Sequence, residues 1–165
     1  MIRVSLFMTV LIDCIAILLM IAADQFSKFF IVRHFALGQK LTVIPGFFAI
    51  TNVRNTGAGF SILTDQTAFL SLVSIAAVIA LIYLLSKERS AVTRISYLLI
   101  IAGAAGNLID RLRLGYVVDF LDFYIIGYDF PVFNIADIFI VFSCFMLVIS
   151  LFAVKDDDSK AGGVR

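Results

Sequence analysis

Charge, histidine, cysteine and proline are all scarce in this chain. Of 165 residues, 13 are Lys or Arg and 12 are Asp or Glu, giving a net charge of +1. No basic stripe interleaved with aromatics appears, so nucleic-acid binding is excluded. One histidine and two cysteines leave no ligand cluster for a metal. Cys14 and Cys144 lie in separate apolar runs without a CxxC or His partner and read as small packing residues, not as a disulfide or nucleophile. His34, in "VRHFALG", stands just past a predicted helix end, where an interfacial or capping role fits better than ligation. What fills the chain is hydrocarbon: 62% of it is hydrophobic, against roughly half in a soluble domain. The few charges cluster between long apolar runs, the pattern of a membrane-helix bundle.

Four segments reach or approach the roughly 20 residues a bilayer crossing needs: about 4–32, 68–85, 95–109 and 138–154. The first has Arg3 ahead of it and a cleavage-like "IAAD", as a signal peptide would. Asp13 interrupts the apolar core, however, and apolar character resumes after Asp24 with "FSKFFIV", so it is read as a span. The third is long enough only if "AAGNLIDRL" continues it, its polar end facing protein or water. The fourth has a legible start: Pro131 breaks what precedes, Asn134 caps, and Asp137 falls in the first turn. A helix from Asn134 to Val154 rises about 31 Å, enough to cross.

Residues 38–66 differ. "LTVIPGFFAITNVRN" is β-branched and aromatic around Pro45–Gly46 and predicts a small hairpin-like surface region. "NTGAGF" adds turn chemistry, with Gly57 allowing close backbone approach to a ligand and the 57–59 stretch a candidate hinge. The polar tail 156–165 is expected to be unstructured. One membrane domain therefore spans 1–155, with both termini on one side. Charge bias barely chooses that side: seven Lys or Arg fall with the termini and six opposite.

Nearly all the polarity near the membrane gathers on the face opposite the termini. Asp24 and Lys28 end the first span, Asn55 lies in the loop beyond, and Asn107, Asp110 and Arg111 end the third. Asp119 follows in a loop, and Asn134 and Asp137 begin the fourth. The i,i+4 pairs Asp24/Lys28 and Asn107/Arg111 each share a helix face. Simple interfacial anchoring accounts for Asp24–Lys28 and Asp110–Arg111. Asp122 reads as an exposed loop acid, Asp13 as a buried contact near the opposite face, and Arg33, Lys40, Arg54 and Arg113 as charges near lipid headgroups. Asp119 and Asp137 resist such readings: each has apolar neighbours and no base within four positions. Two such carboxylates would not both ionise, and a pair sharing one proton supplies a general base and a general acid. A helix N-terminus at Asp137 favours its negative form. Two other classes stay open on these residues alone: a proton-coupled transporter, whose acid would sit nearer midplane, and a non-catalytic helix-packing scaffold.

The blocks "DQFSK" (24–28), "NVRNTGAGF" (52–60), "GAAGNLIDR" (103–111), "VVDFLDF" (117–123) and "FNIAD" (133–137) resemble, in order, the signatures of bacterial lipoprotein signal peptidase, signal peptidase II, over about residues 10–155. The resemblance implies an all-α membrane protein of four spans with cytoplasmic termini in the bacterial cell membrane. It also implies a small extracytoplasmic β-rich cradle between the first two helices. It implies an aspartyl endopeptidase, needing no metal or organic cofactor, that cleaves prolipoproteins before a diacylglyceryl-modified cysteine and is blocked by the cyclic peptide globomycin. The expected partners are lipidated precursors and membrane lipid, with the enzyme itself a monomer. Asp119 and Asp137 match the catalytic dyad. Asn55, Gly57, Asn107, Asp110, Arg111 and Asn134 match positions that shape the site or orient substrate, and Asp24 and Lys28 a pair beside it. Two positions depart from the pattern: Gly59 stands where alanine is usual, and Ile138 where a small polar residue is common.

Overall fold

The computed structural model describes residues 2–57 and 63–162, with side chains for 6–57 and 63–150. Its order is α1 (Ile2–His34), β1 (Lys40–Ile44), β2 (Phe48–Asn55), α2 (Thr67–Lys87), α3 (Ala91–Leu114), β3 (Val117–Ile125), β4 (Tyr128–Asp129) and α4 (Ile135–Gly162). Among the described residues three helices, α1, α2 and α3, are long and apolar enough to cross a membrane, while the described apolar part of α4, Ile135–Ser150, is shorter. This is a membrane protein whose apolar side chains point outward: Leu18, Leu19, Phe26, Leu72 and Phe145 are all exposed. In lipid, unlike water, that exposure carries no penalty.

Helix α3 is the central element, packed against α1, α2 and α4. Two glycines make its contacts close. A Cβ at Gly103 would lie 2.5 Å from the Ala136 carbonyl oxygen on α4, and one at Gly106 would lie 2.6 Å from Asp24 Oδ2 on α1. The "GAAG" step thus lets three helices converge where the polar residues lie. Ser90 caps the start of α3 by accepting from Thr93 N, and Gly115, at φ +79°, ends it in the left-handed region.

The β region corrects the expectation of a cradle built between the first two helices alone. The sheet is four-stranded and antiparallel, in order β1-β2-β3-β4, so the α3–α4 connection supplies half of it. A lone two-stranded hairpin is marginal, and β2 gains a second partner through Val53↔Asp119, Arg54↔Val118 and Asn55↔Val117. Asp119 is therefore a strand residue and not a loop residue. Asn52 Nδ2 donates to the Phe35 carbonyl (2.8 Å) and Gly38 N to the Asn52 carbonyl (2.8 Å), pinning the sheet to the end of α1. Ile31, Val118 and Phe120 form the buried cluster at that joint. Beyond its apolar stretch, α4 stays helical to Gly162, through most of the tail expected to be unstructured. No proline interrupts that stretch, and Lys, Asp and Ser on an existing helix propagate it.

Candidate active site

Asn134 and Asp137 close the N-terminus of α4 reciprocally. Asp137 N donates to Asn134 Oδ1 (3.1 Å) and Asn134 N to Asp137 Oδ2 (3.0 Å). This is a capping box with asparagine as cap and aspartate at the third helical position. Cap geometry fixes the Asn134 amide, whose Nδ2 then donates to Asp119 Oδ1 (2.7 Å) on β3 and to Asn107 Oδ1 (3.1 Å) on α3. Asn107 Nδ2 donates to Asp137 Oδ1 (2.8 Å), and Asn55 Nδ2 to Asp119 Oδ2 (2.9 Å). All four carboxylate oxygens of Asp119 and Asp137 thus accept from three asparagines, on β2, on α3 and at the α4 cap. The two acids share Asn134 as a bridge. Asn55 Oδ1 in turn accepts from Gly57 N (2.9 Å), an Asx turn, and the Gly57 carbonyl accepts from Arg111 Nη2 (2.9 Å).

Behind this layer Lys28 is 3% exposed, and its ammonium reaches three acceptors: Asp24 Oδ2 (2.9 Å), Asp110 Oδ2 (3.1 Å) and Asn107 Oδ1 (2.9 Å). Asp24 Oδ1 also accepts from Ala136 N (3.0 Å), so α1 satisfies a third orphan N–H of α4. Asp110 Oδ2 accepts from Val118 N (3.1 Å), setting the start of β3 one residue before Asp119. The expectation that Asp24–Lys28 and Asp110–Arg111 anchor helix ends at the membrane surface is therefore corrected. The acids pair with Lys28 in the interior, while the Arg111 guanidinium lies within reach of the charges of Asp137, Asp119 and Asp110.

Asp119 is 2% exposed. Burial, with the neighbouring Asp137 charge, pushes its carboxyl up to about 7, against the pull of the Asn55 and Asn134 hydrogen bonds and the Lys28 charge. Near neutral pH Asp119 thus stands close to its midpoint, able to give or take a proton. Both acids line a cavity of about 940 Å³ whose polar end includes Asn55, Gly57, Asn107 and Arg111. The remainder is apolar, between Leu70 and Val73 on α2 and Val141 and Phe145 on α4, and the exposure of Val73 and Phe145 opens it sideways to the lipid.

A family model described as "Signal peptidase (SPase) II" matches residues 16–153. The chain belongs to the signal peptidase II family. It is accordingly an aspartic-type peptidase. The lipoprotein signal peptidase of Syntrophus aciditrophicus (strain SB) is 42% identical over 148 residues, covering 86% of this chain and 92% of that protein. That of Streptococcus pyogenes serotype M5 (strain Manfredo) is 41% identical over 146 residues, covering 86% and 93%. A bacterial membrane enzyme solved by the in meso method at 2.3 Å superposes with a TM-score of 0.83 at 35% identity, over 88% of this chain and 90% of that one. A second, solved at 1.9 Å, gives a TM-score of 0.77 at 37% identity, over 84% and 91%.

All ten residues singled out in the sequence of this signal peptidase II converge on one end of the bundle. Three others escaped the sequence reading. Gln25 Nε2 reaches Asp110 Oδ1 (3.0 Å), the Gly106 carbonyl (3.1 Å) and Asp24 Oδ2 (3.2 Å); its only signal was its place inside "DQFSK". Asp122 is buried, not exposed, and pairs with Lys40 (2.5 Å) across the sheet. Arg94 holds Asp13 in an ion pair at the opposite end of the bundle, a partner that the reading of Asp13 as a buried contact did not include. His34 Nδ1 donates to the Phe30 carbonyl (2.8 Å) and its ring stacks on Phe30; it ends the last turn of α1 and does not stand past it. Cys14 and Cys144 are exposed on the outer helix surface and not packed inside. Gly59 lies outside the described residues, whereas Ile138 lines the cavity.

Proposed function

We propose that this chain is the membrane endopeptidase that removes signal peptides from prolipoproteins, cleaving on the N-terminal side of a diacylglyceryl-modified cysteine with Asp119 and Asp137 as its dyad. The observation that carries the reading is the pair of carboxylates bridged by Asn134 at the polar end of a groove that is otherwise apolar and open to lipid. Such a groove suits a substrate whose acyl chains stay in the bilayer while its scissile amide meets water.

In this reading Asp137, accepting from Asn134 N and Asn107 Nδ2, is the general base. It takes a proton from water as the water oxygen attacks the scissile carbonyl. Asp119, protonated near neutral pH, donates to the developing oxyanion. Collapse of the tetrahedral intermediate breaks the C–N bond, the proton on Asp137 passes to the leaving amine, and Asp119 recovers its own from the collapsing hydroxyl. Asn55, Asn107 and Asn134 hold the acids in place, and Arg111 fixes the Gly57 carbonyl at the groove wall. Asp24, Lys28 and Asp110 position those groups from behind. No step calls on a metal or organic cofactor. The apolar part of α4 makes the fourth crossing, the termini lie in the cytoplasm of a bacterial cell, and the sheet and dyad face outward. The enzyme acts as a monomer and is blocked by globomycin-like cyclic peptides occupying the groove.

The test is a gel-shift cleavage assay with purified protein and a diacylglyceryl-modified prolipoprotein, using unlipidated precursor as control. Wild type should cleave only the lipidated form, and Asp119→Asn and Asp137→Asn should be folded and inert. Failure of folded wild type to cleave would sink the peptidase reading. Cleavage by either variant would move the chemistry to other residues.

A further inference from the structure

The far end of the sheet carries an apolar point that peptide hydrolysis does not use. Where β3 turns into β4, Ile126 has φ +51° and Gly127 φ +79°. Two successive left-handed residues make the hairpin turn in which Asn-Gly is favoured. A β-branched residue at the first of these positions is a conformational outlier. Its side chain is 102% exposed, so no contact within the chain offsets that strain. An observed outlier of this kind points to a function met outside the fold.

Neighbouring groups share its character. Tyr124 N donates to the Phe47 carbonyl (2.8 Å), tying this turn to the β1–β2 turn, where Ile44 and Phe47 are also exposed. Ile125 and Tyr128 flank Ile126, likewise exposed. This cluster is continuous with the lipid-facing surface of α1. Phe29, Phe30 and Val32 face outward on its last turns, Leu37 and Leu41 continue the exposed apolar path, and β2 is bonded to the end of α1 through Phe35 and Asn52. Behind the point, Lys40 Nζ lies 4.3 Å from the centre of the Tyr124 ring. A lysine and tyrosines behind a bare aliphatic tip are the pairing found at the level of lipid headgroups.

We propose that the two linked turns, Ile44–Phe47 and Ile125–Tyr128, dip into the acyl region of the bilayer surface, with Ile126 deepest. The sheet then rests on lipid at both ends: at α1 and at this tip, about 20 Å along β3 from Asp119. That fixes the height of Asp119 above the membrane independently of substrate.

The chain contains no tryptophan, so a single introduced indole reports without background. Tyr128→Trp protein would be reconstituted in phosphatidylcholine–phosphatidylglycerol vesicles, with and without bromine on the acyl chains. Phe29→Trp on α1 serves as the lipid-immersed reference. The expected result is blue-shifted emission from Tyr128→Trp, quenched by brominated chains and shielded from aqueous acrylamide. Adding Ile126→Asn should weaken the bromine quenching while leaving the reference signal unchanged. Red-shifted emission open to acrylamide and blind to bromine would overturn the proposal. So would shielding that appears only when a precursor protein is added, which would make the tip a protein-docking surface. Bromine quenching unaffected by Ile126→Asn would also overturn it, because Ile126 would not be the inserted group.

Discussion

Asp119→Asn should leave the protein inert and, above neutral pH, more stable. In the unfolded chain this carboxyl ionises at 3.8, and in the fold only at about 7. The folded state therefore binds more protons across that window, and stability falls as pH rises from 3.8 through 7. By linkage the penalty is about 2 kcal/mol near pH 5 and about 4 kcal/mol near pH 8, where it levels off. Asparagine carries no charge to desolvate and feels no repulsion from Asp137. It has one oxygen where aspartate has two, so either the Asn55 or the Asn134 amide meets an NH₂ instead of an acceptor. That loss costs about 1–2 kcal/mol. The variant should match wild type near pH 5 and exceed it by roughly 2 kcal/mol near pH 8. Detergent-solubilised proteins would be titrated with SDS at the two pH values and followed by circular dichroism of the helices. A variant less stable than wild type near pH 8, or a difference that does not change with pH, would refute the argument that burial and Asp137 raise the Asp119 carboxyl.

The same ionisation gives the pH dependence of the reaction: if protonated Asp119 is the acid, kcat/KM for lipidated precursor falls as pH rises through about 7, and a rate rising through that range would reverse the assigned roles. Gly106→Ala places a methyl 2.6 Å from Oδ2 of Asp24, a carboxylate that holds Lys28 through that oxygen and Ala136 N through Oδ1, so helix packing should loosen by about 1–3 kcal/mol and cleavage should fall with it. Wild-type SDS resistance in that variant would show the close approach to be slack. Lys28→Met strands Asp24 and Asp110 in the interior, a loss of about 3–5 kcal/mol. Adding Asp110→Asn to Lys28→Met should recover part of that stability, and no recovery would mean that the ion pairs are not what Lys28 supplies.

Long apolar runs made the helices legible, and cap spacing made the start of α4 legible, because both are local patterns. The second half of the sheet was not, for a physical reason. Val117, Val118, Asp119 and Phe120 are all buried, so the alternation that marks a half-exposed strand is missing. The partner of Asp110 was misjudged because Arg111 adjoins it in sequence. Adjacent helical residues point about 100° apart, whereas Asp24 and Lys28, at i,i+4, share the face turned toward α3. Asp122 and Lys40 meet through strand register alone, a relation that no short window contains. Cys14 and Cys144 illustrate a reversed rule: in a bilayer an apolar position need not be an inward one.

The position of the two facing acids follows from a backbone problem. A helix that starts at a membrane boundary leaves its first N–H groups without partners, and water cannot be relied on to supply them. Here Asn134 and Asp137 satisfy two groups of that turn reciprocally, and Asp24, from α1, satisfies a third. Each acceptor is polar and fixed in orientation because the helix needs it there, and Asn134 and Asp24 are fully buried. Once Asn134 Oδ1 is committed to the cap, its NH₂ can only donate, and it aims at Asp119. The carboxylate of α4 and that of β3 are thereby locked to one amide. An Asn134→Ala change should therefore injure folding and catalysis together, whereas Asn55→Ala, which removes one donor to Asp119 and leaves the cap intact, should injure catalysis more than folding.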